Sequence, residues 1–223
     1  MCHAATQQFI LGAEMALTLT IAQQKGGSGK TTLAVNIAVV LGRAGHRVAV
    51  LDTDPQGSLG RWFMARRAAL GDAGLEFSTA SAWGVSYEVE KLRRGADYVI
   101  IDTPPKADAD LRPALREADL VLVPVASSHV DLWATEGVLD LARREGKEVL
   151  IVLNRARPGT RLGAEVAEAA RALAADVAET ALSNRVTYAE TLGQGLGASE
   201  APRSAAARAE IEALIAEIGA RLE

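Results

Sequence analysis

The residues with the most chemistry to offer stand together at Lys25-Gly26-Gly27-Ser28-Gly29-Lys30-Thr31-Thr32. The glycines Gly26, Gly27 and Gly29 let backbone N–H groups curl around an anion without Cβ clashes, and Ser28 and Thr32 complete the cradle. Lys30 supplies a mobile cation for β- and γ-phosphates, and the Thr31 hydroxyl is placed to ligate Mg²⁺. Two acidic turns follow, Asp52-Thr53-Asp54-Pro55-Gln56-Gly57 and Asp102-Thr103-Pro104-Pro105. Asp102 has the position and apolar flanks of a Walker B carboxylate. Mg²⁺ prefers hard oxygens and keeps several waters, so Asp102 is expected to hold the ion through a water molecule. Asn154 carries a carboxamide whose donor and acceptor suit the edge of adenine. The set reads as a site for ATP with Mg²⁺.

These side chains need elements to hold them. The apolar run Leu17 to Ala22 precedes the glycine loop, and the helix-like run Leu33 to Leu41 follows it. Strand, loop, helix is the context that makes the phosphate-loop motif meaningful. The helix that starts there adds its unpaired N–H groups and positive dipole end. Further β-branched apolar runs end at Asp52, Asp102, Val125 and Asn154, alternating with helical patterns near 60–70, 84–94, 109–117, 130–144, 161–174 and 204–222. That alternation predicts an α/β fold, a mostly parallel twisted sheet with helices on both faces. Ligands bind at the carboxyl ends of such strands, where the polar residues are found. Gly193 to Arg203 reads as a loop before the last helix. Trp62, Trp83 and Trp133 are expected to be core or interface anchors.

With 223 residues, 49% hydrophobic and 23% charged, the chain has the composition of a globular α/β protein, and 15–223 is expected to be a single ATPase domain. No apolar run is long enough to span a membrane. The one cysteine, Cys2, cannot form an internal disulfide, which suits a reducing cytoplasm. A net charge of −4 means that any nucleic-acid binding must be local and conditional. His3, His46 and His129 are too scattered for a metal site. Residues 1–14 lack the pattern of a secretion signal and are expected to be a disordered leader or the product of an upstream start codon.

The phosphate loop departs from the usual spacing in having Gln24 where a glycine is expected, followed by a second lysine, Lys25. This Lys-Gly-Gly-x-Gly-Lys-Thr-Thr form resembles the deviant Walker A motif of the ParA/MinD family of P-loop NTPases. The resemblance runs from Met15 nearly to the C-terminus and includes the late segment Ser183 to Glu190, which looks like the short ParA proteins. It implies that Lys25 crosses a dimer interface to the partner's nucleotide. It also implies that Asp54, before the proline, orients the attacking water, with Asp52 beside the metal. Asn154 lies near a family position that reads the base, and the helix that begins near Asp131 and Trp133 faces the dimer partner.

What the resemblance implies as a whole is a cytoplasmic, nucleoid-associated partition ATPase, slow without a partner. Its ATP-bound homodimer would bind DNA without sequence preference. A ParB-like or cargo-associated protein would then stimulate hydrolysis. Arg185 matches a basic position of the family, and Arg203 and Arg208 lie at the start of the final helix. These three are the DNA-binding candidates. The alternative is a MinD-like membrane-cycling ATPase, which uses a basic amphipathic C-terminal helix. Ile211, Leu214, Ile215, Ile218 and Leu222 do form an apolar stripe here. Glu210, Glu212, Glu217 and Glu223 on the same helix would be repelled by anionic lipid, so packing against the domain is the better account and no stable membrane anchor is expected. A metabolic ligase on this fold is a third class, disfavoured by Lys25 and the Asp-Pro-Gln turn.

Overall fold

The computed structural model describes residues 16–105, 108–126 and 128–222, so the expected leader lies outside the described residues. Seven parallel strands form one sheet: β1 (Leu17–Ile21), β2 (Val48–Asp52), β3 (Glu76–Thr79), β4 (Tyr98–Asp102), β5 (Leu120–Ala126), β6 (Val149–Asn154) and β7 (Asp176–Val177). Their order is β3-β2-β4-β1-β5-β6-β7. The helices are α1 (Lys30–Arg43), α2 (Ser58–Leu70), α3 (Gly84–Arg93), α4 (Asp108–Glu117), α5 (His129–Arg144), α6 (Arg161–Arg171), α7 (Val186–Gly193) and α8 (Ala205–Leu222). Central strands β2, β4 and β5 are buried almost throughout, which is why they read as continuous apolar runs.

The core lies in layers on the two faces of the sheet. On one face α1, α2 and α8 pack over Leu19, Ile21, Val50 and Ile100, with Tyr188 of α7 joining them. On the other, α4 to α6 cover Val121, Val123 and Ile151, while α3 covers Ala49, Leu51 and Ile101. α1 is buried from Leu33 to Leu41, as expected of a helix that is apolar all round. On α8, Ile211, Leu214 and Ile218 sit inside the first layer, so that stripe packs against the sheet's helices.

Three elements escape sequence periodicity. β3 is a four-residue edge strand whose Phe77 stacks on Phe63 at 4.6 Å. β7 has only two residues, and α7 is a single eight-residue helix that begins inside the late segment and runs past its end. The expected loop 193–203 contains a 3₁₀ turn, Ala198–Glu200, with Ala198 and Ser199 buried. The tryptophans divide. Trp62 is a core anchor at 2% exposure, whereas Trp83 and Trp133 are 90% and 70% exposed, so neither is a core residue.

Candidate functional site

Register explains how the site is assembled. Asp102 of β4 pairs with Ile21 of β1 on one side and with Asp52 of β2 on the other. The glycine loop and the two acidic turns therefore leave the sheet at one level. Across β1, Asn154 of β6 pairs with Ala126 of β5 at the same edge. Side-chain hydroxyls stitch the strand ends together. Thr53 Oγ1 donates to Asp102 O at 2.8 Å, and Thr103 Oγ1 donates to Ile21 O at 2.8 Å.

The loop's curl is set by its own backbone and one neighbouring side chain. Gly27 and Gly29 take φ of 77° and 95°, values that L side chains rarely adopt. A Cβ on Gly29 would also lie 2.2 Å from Asn154 Nδ2. Asn154 is 5% exposed; its Nδ2 donates to Ser28 O at 2.9 Å and its Oδ1 accepts from Arg155 N at 2.9 Å. Both ends of the carboxamide thus bond backbone. These two bonds use one amide hydrogen and one oxygen lone pair, so Asn154 shapes the loop and keeps a second donor and a second acceptor position for the expected base. A cleft of about 610 Å³ opens beside it, lined by Thr32, Arg155, Leu162, Arg185 and Val186 among others.

The electrostatics favour a cation. Thr31 Oγ1 donates to Asp102 Oδ2 at 2.6 Å. Burial pushes the Asp102 carboxyl up to about 7, and neighbouring Asp52 adds to the rise against the Thr31 hydrogen bond. Asp52 is also raised by burial, although its oxygens accept from Gly60 N at 2.9 Å and Asp54 N at 3.0 Å. Lys30, 7% exposed, is lowered by burial despite Asp102 and Asp54 nearby. Among the described residues the buried side-chain polar atoms without a partner are Ser28 Oγ, Asp102 Oδ1 and Ser199 Oγ. The first two lie in the glycine loop and at the expected ion position. The unpartnered Asp102 oxygen, with a second carboxylate at the paired strand end, fits a hydrated divalent cation. Asp54 is half-buried and accepts from Gln56 N at 2.9 Å, which fixes its turn.

The start of the loop leans on α5. Gln23 Nε2 donates to Thr135 Oγ1 at 3.0 Å. A Cβ on Gly137 would come within 2.6 Å of Gln24 Oε1, so the residue replacing the usual glycine fills a notch on that helix. Lys25 Nζ pairs with Asp131 Oδ1 at 2.5 Å. Ser128 caps α5 by accepting from Asp131 N, and its hydroxyl bonds the Asp131 carboxylate. Gln23, Thr135 and Gly137 were not identified from sequence. The only local signal, Asp131 three residues after Ser128, looks like an ordinary helix cap.

The DNA-binding candidates have three different settings. Arg185, the N-cap of α7, pairs with Glu210 at 2.7 Å and lines the cleft beside the loop. Arg208 donates to Ser199 O at 2.9 Å. Arg203 is exposed, with φ of 60°.

The family model described as "CobQ/CobB/MinD/ParA nucleotide binding domain" matches residues 19–196. The chain is 28% identical over 217 residues to "Maintenance of carboxysome distribution protein A" of Halothiobacillus neapolitanus, covering 93% of this chain and 99% of that one. The protein of the same name from Gloeobacter kilaueensis is 38% identical over 153 residues, 67% of each chain. "Chromosome partitioning protein ParA" of Caulobacter vibrioides is 32% identical over 164 residues, 56% of this chain and 60% of that one. An ATP complex of Cyanothece McdA shares the fold with a TM-score of 0.75 at 18% identity, covering 92% and 97% of the two chains.

Proposed function

We propose, for a chain that belongs to the CobQ/CobB/MinD/ParA nucleotide-binding domain family, an ATP-gated dimer cycle that positions a protein cargo. The chain is a ParA-like positioning ATPase. Residues 15–223 act as its single ATPase domain, cytoplasmic and associated with the nucleoid. The cargo is a large protein body of the kind named in the carboxysome relative, whose similarity covers 93% of this chain and 99% of that one.

In this reading the loop N–H groups and Lys30 bind the β- and γ-phosphates, with Thr31, Asp102 and Asp52 around Mg²⁺, which offsets phosphate charge when bound. Asp54 orients water towards the γ-phosphate. The base enters the cleft bordered by Leu162 and Val186. The observation that carries the reading is where Lys25 points: its ammonium rests on Asp131 of α5 rather than over its own loop. A lysine held on a helix at the open edge of the site is placed for exchange onto a second subunit's phosphates. Pairing subunits doubles the Arg185, Arg203 and Arg208 set, which gives ATP control over non-specific DNA binding. An activating protein on the cargo then triggers hydrolysis.

Sedimentation with Mg-ATP tests this cycle. Lys30→Ala should lose ATP binding, Lys25→Ala should bind ATP yet stay monomeric, and Asp54→Ala should accumulate as an ATP dimer. A stable Lys25→Ala dimer would overturn the exchange. With about six phosphate contacts per dimer, DNA affinity should fall roughly a thousandfold between about 50 and 200 mM salt, and only with ATP.

A further inference from the structure

Arg66 of α2 is 6% exposed, yet nothing in the nucleotide cycle described above uses it. Its guanidinium grips Glu200 with both branches, Nη1 to Oε2 at 2.8 Å and Nη2 to Oε1 at 3.0 Å. Nε donates to Ala73 O at 2.7 Å and Nη1 also reaches Gly195 O at 3.2 Å. Burial alone would raise the Glu200 carboxyl, but the hydrogen bonds from Arg66 and Gly197 hold it below its ordinary value. The Trp62 ring lies 5.5 Å from the guanidinium, and its Nε1 donates to Leu196 O at 3.3 Å. Gly195 (φ 73°) presses so closely that a Cβ there would be 2.2 Å from Arg66 N.

The clamped segment touches both nucleotide helices. On the α1 side, Ala198 N donates to Asn36 Oδ1 at 2.7 Å, and Asn36 Nδ2 donates to Thr32 O at 2.7 Å, next to the phosphate loop. On the α2 side, Asp52 Oδ2 holds Gly60 N at 2.9 Å, so any new load on that carboxylate is felt in the first turn of α2. On the far side Arg208 holds Ser199 O, and Ser199 Oγ is buried without a partner. A buried ion pair stabilises little compared with apolar side chains of the same volume. Its bidentate geometry does fix the relative position of the two segments it joins.

We propose that Arg66 and Glu200 are positioning residues that carry the nucleotide state from the Asp52–Asp54 turn to the 195–208 segment. The proposal rests on the nucleotide reading above and deepens it. ATP loads Asp52 and Asp54, α2 shifts at its first turn, and the brace moves the late segment with Arg203 and Arg208 as one body. By linkage, a ligand on the late segment changes ATP affinity by the same factor.

Trp62 reports on the brace directly. In full-length protein carrying Trp83→Phe and Trp133→Phe, Trp62 is the sole tryptophan, and calorimetry first establishes that Mg-ATP binds. Trp62 emission is expected to differ between Mg-ATP and Mg-ADP. Adding Arg66→Met with Glu200→Leu, an apolar pair that spares stability, is expected to leave ATP binding in place and abolish that difference. The ratio of DNA affinities with ATP and ADP should fall at least about tenfold. Urea unfolding verifies the fold. If this double variant fails to fold, Arg66→Lys, which keeps charge but loses the fork, is read in the same way.

The brace is overturned if the parent binds ATP while Trp62 emission is identical with both nucleotides. It is also overturned if the folded variant keeps the emission difference. A parent that binds no ATP removes the nucleotide reading and the brace together. Loss of DNA binding alone, with the Trp62 response intact, sinks only the DNA part of the cycle.

Discussion

Two ion pairs are built differently: Lys25–Asp131 joins the start of the glycine loop to α5, and Arg66–Glu200 joins α2 to the segment before α8. Lys25–Asp131 is a single contact with the lysine side chain 35% exposed and the aspartate 7%. Arg66–Glu200 is bidentate, with side chains 7% and 12% exposed, and both partners make further backbone bonds. Lys25 keeps contact with solvent when it lets go, and the buried Asp131 keeps its bonds to Ser128. A buried pair leaves a stranded charge if one member is lost. In the proposed cycle the lysine leaves its aspartate, and in the proposed brace the arginine stays so that two segments move together.

The comparison breaks most visibly at Arg66. Arg66→Ala should destabilise the protein by about 3–5 kcal/mol in urea unfolding, because Glu200 is left buried without its cation. A loss under about 1 kcal/mol would mean that both pairs are of the same kind. Gly195→Ala comes next. It forces a side chain into a left-handed backbone and against Arg66 N, so roughly 2–4 kcal/mol of stability should be lost although both members of the ion pair are retained.

A pH series separates both pairs from the Asp102 carboxylate. Asp102 has its folded-state value raised from 3.8 to about 7, so the folded protein holds that proton more tightly than the unfolded chain does. Its destabilising effect therefore begins as pH rises above about 4 and is complete above about 7. Nucleotide-free protein should lose melting temperature across that window, and Mg-ATP or Asp102→Asn should flatten the slope. The smallest effect belongs to Asp131→Asn, which keeps an oxygen for the Ser128 cap. It should change stability by less than about 1 kcal/mol while making the ATP dimer form at lower protein concentration, read by sedimentation. Unchanged dimerisation would show that Asp131 does not restrain Lys25.

Much of the nucleotide edge was legible in the sequence because each motif is continuous. Lys25 to Thr32 declares its loop through glycines, and Asp52 and Asp102 each close an apolar strand run. β3 was not legible because Glu76-Phe77-Ser78-Thr79 is a short polar edge with no apolar run. Neither the Arg66–Glu200 pair nor the Gln24–Gly137 notch could be read, since each joins residues more than a hundred positions apart and neither has a local pattern. Asn154 was read by residue type alone, and its further task of holding Ser28 O beside Gly29 shows only in the fold. Composition could not divide the tryptophans: Trp62 is the core anchor, and exposure leaves Trp83 and Trp133 only the interface half of that expectation.

The loop that Asn154 holds in shape has a kinetic consequence. Its curl, its left-handed glycines and the amide under Ser28 are held by the protein's own contacts. Binding then needs little ordering of that segment, and the entropy otherwise lost in freezing a glycine-rich turn is not charged to the encounter. Capture of the triphosphate tail proceeds without waiting on loop folding, and the lifetime of the complex is set by departure. A timer that counts from nucleotide loading needs a sharp starting moment, and a preshaped loop supplies one.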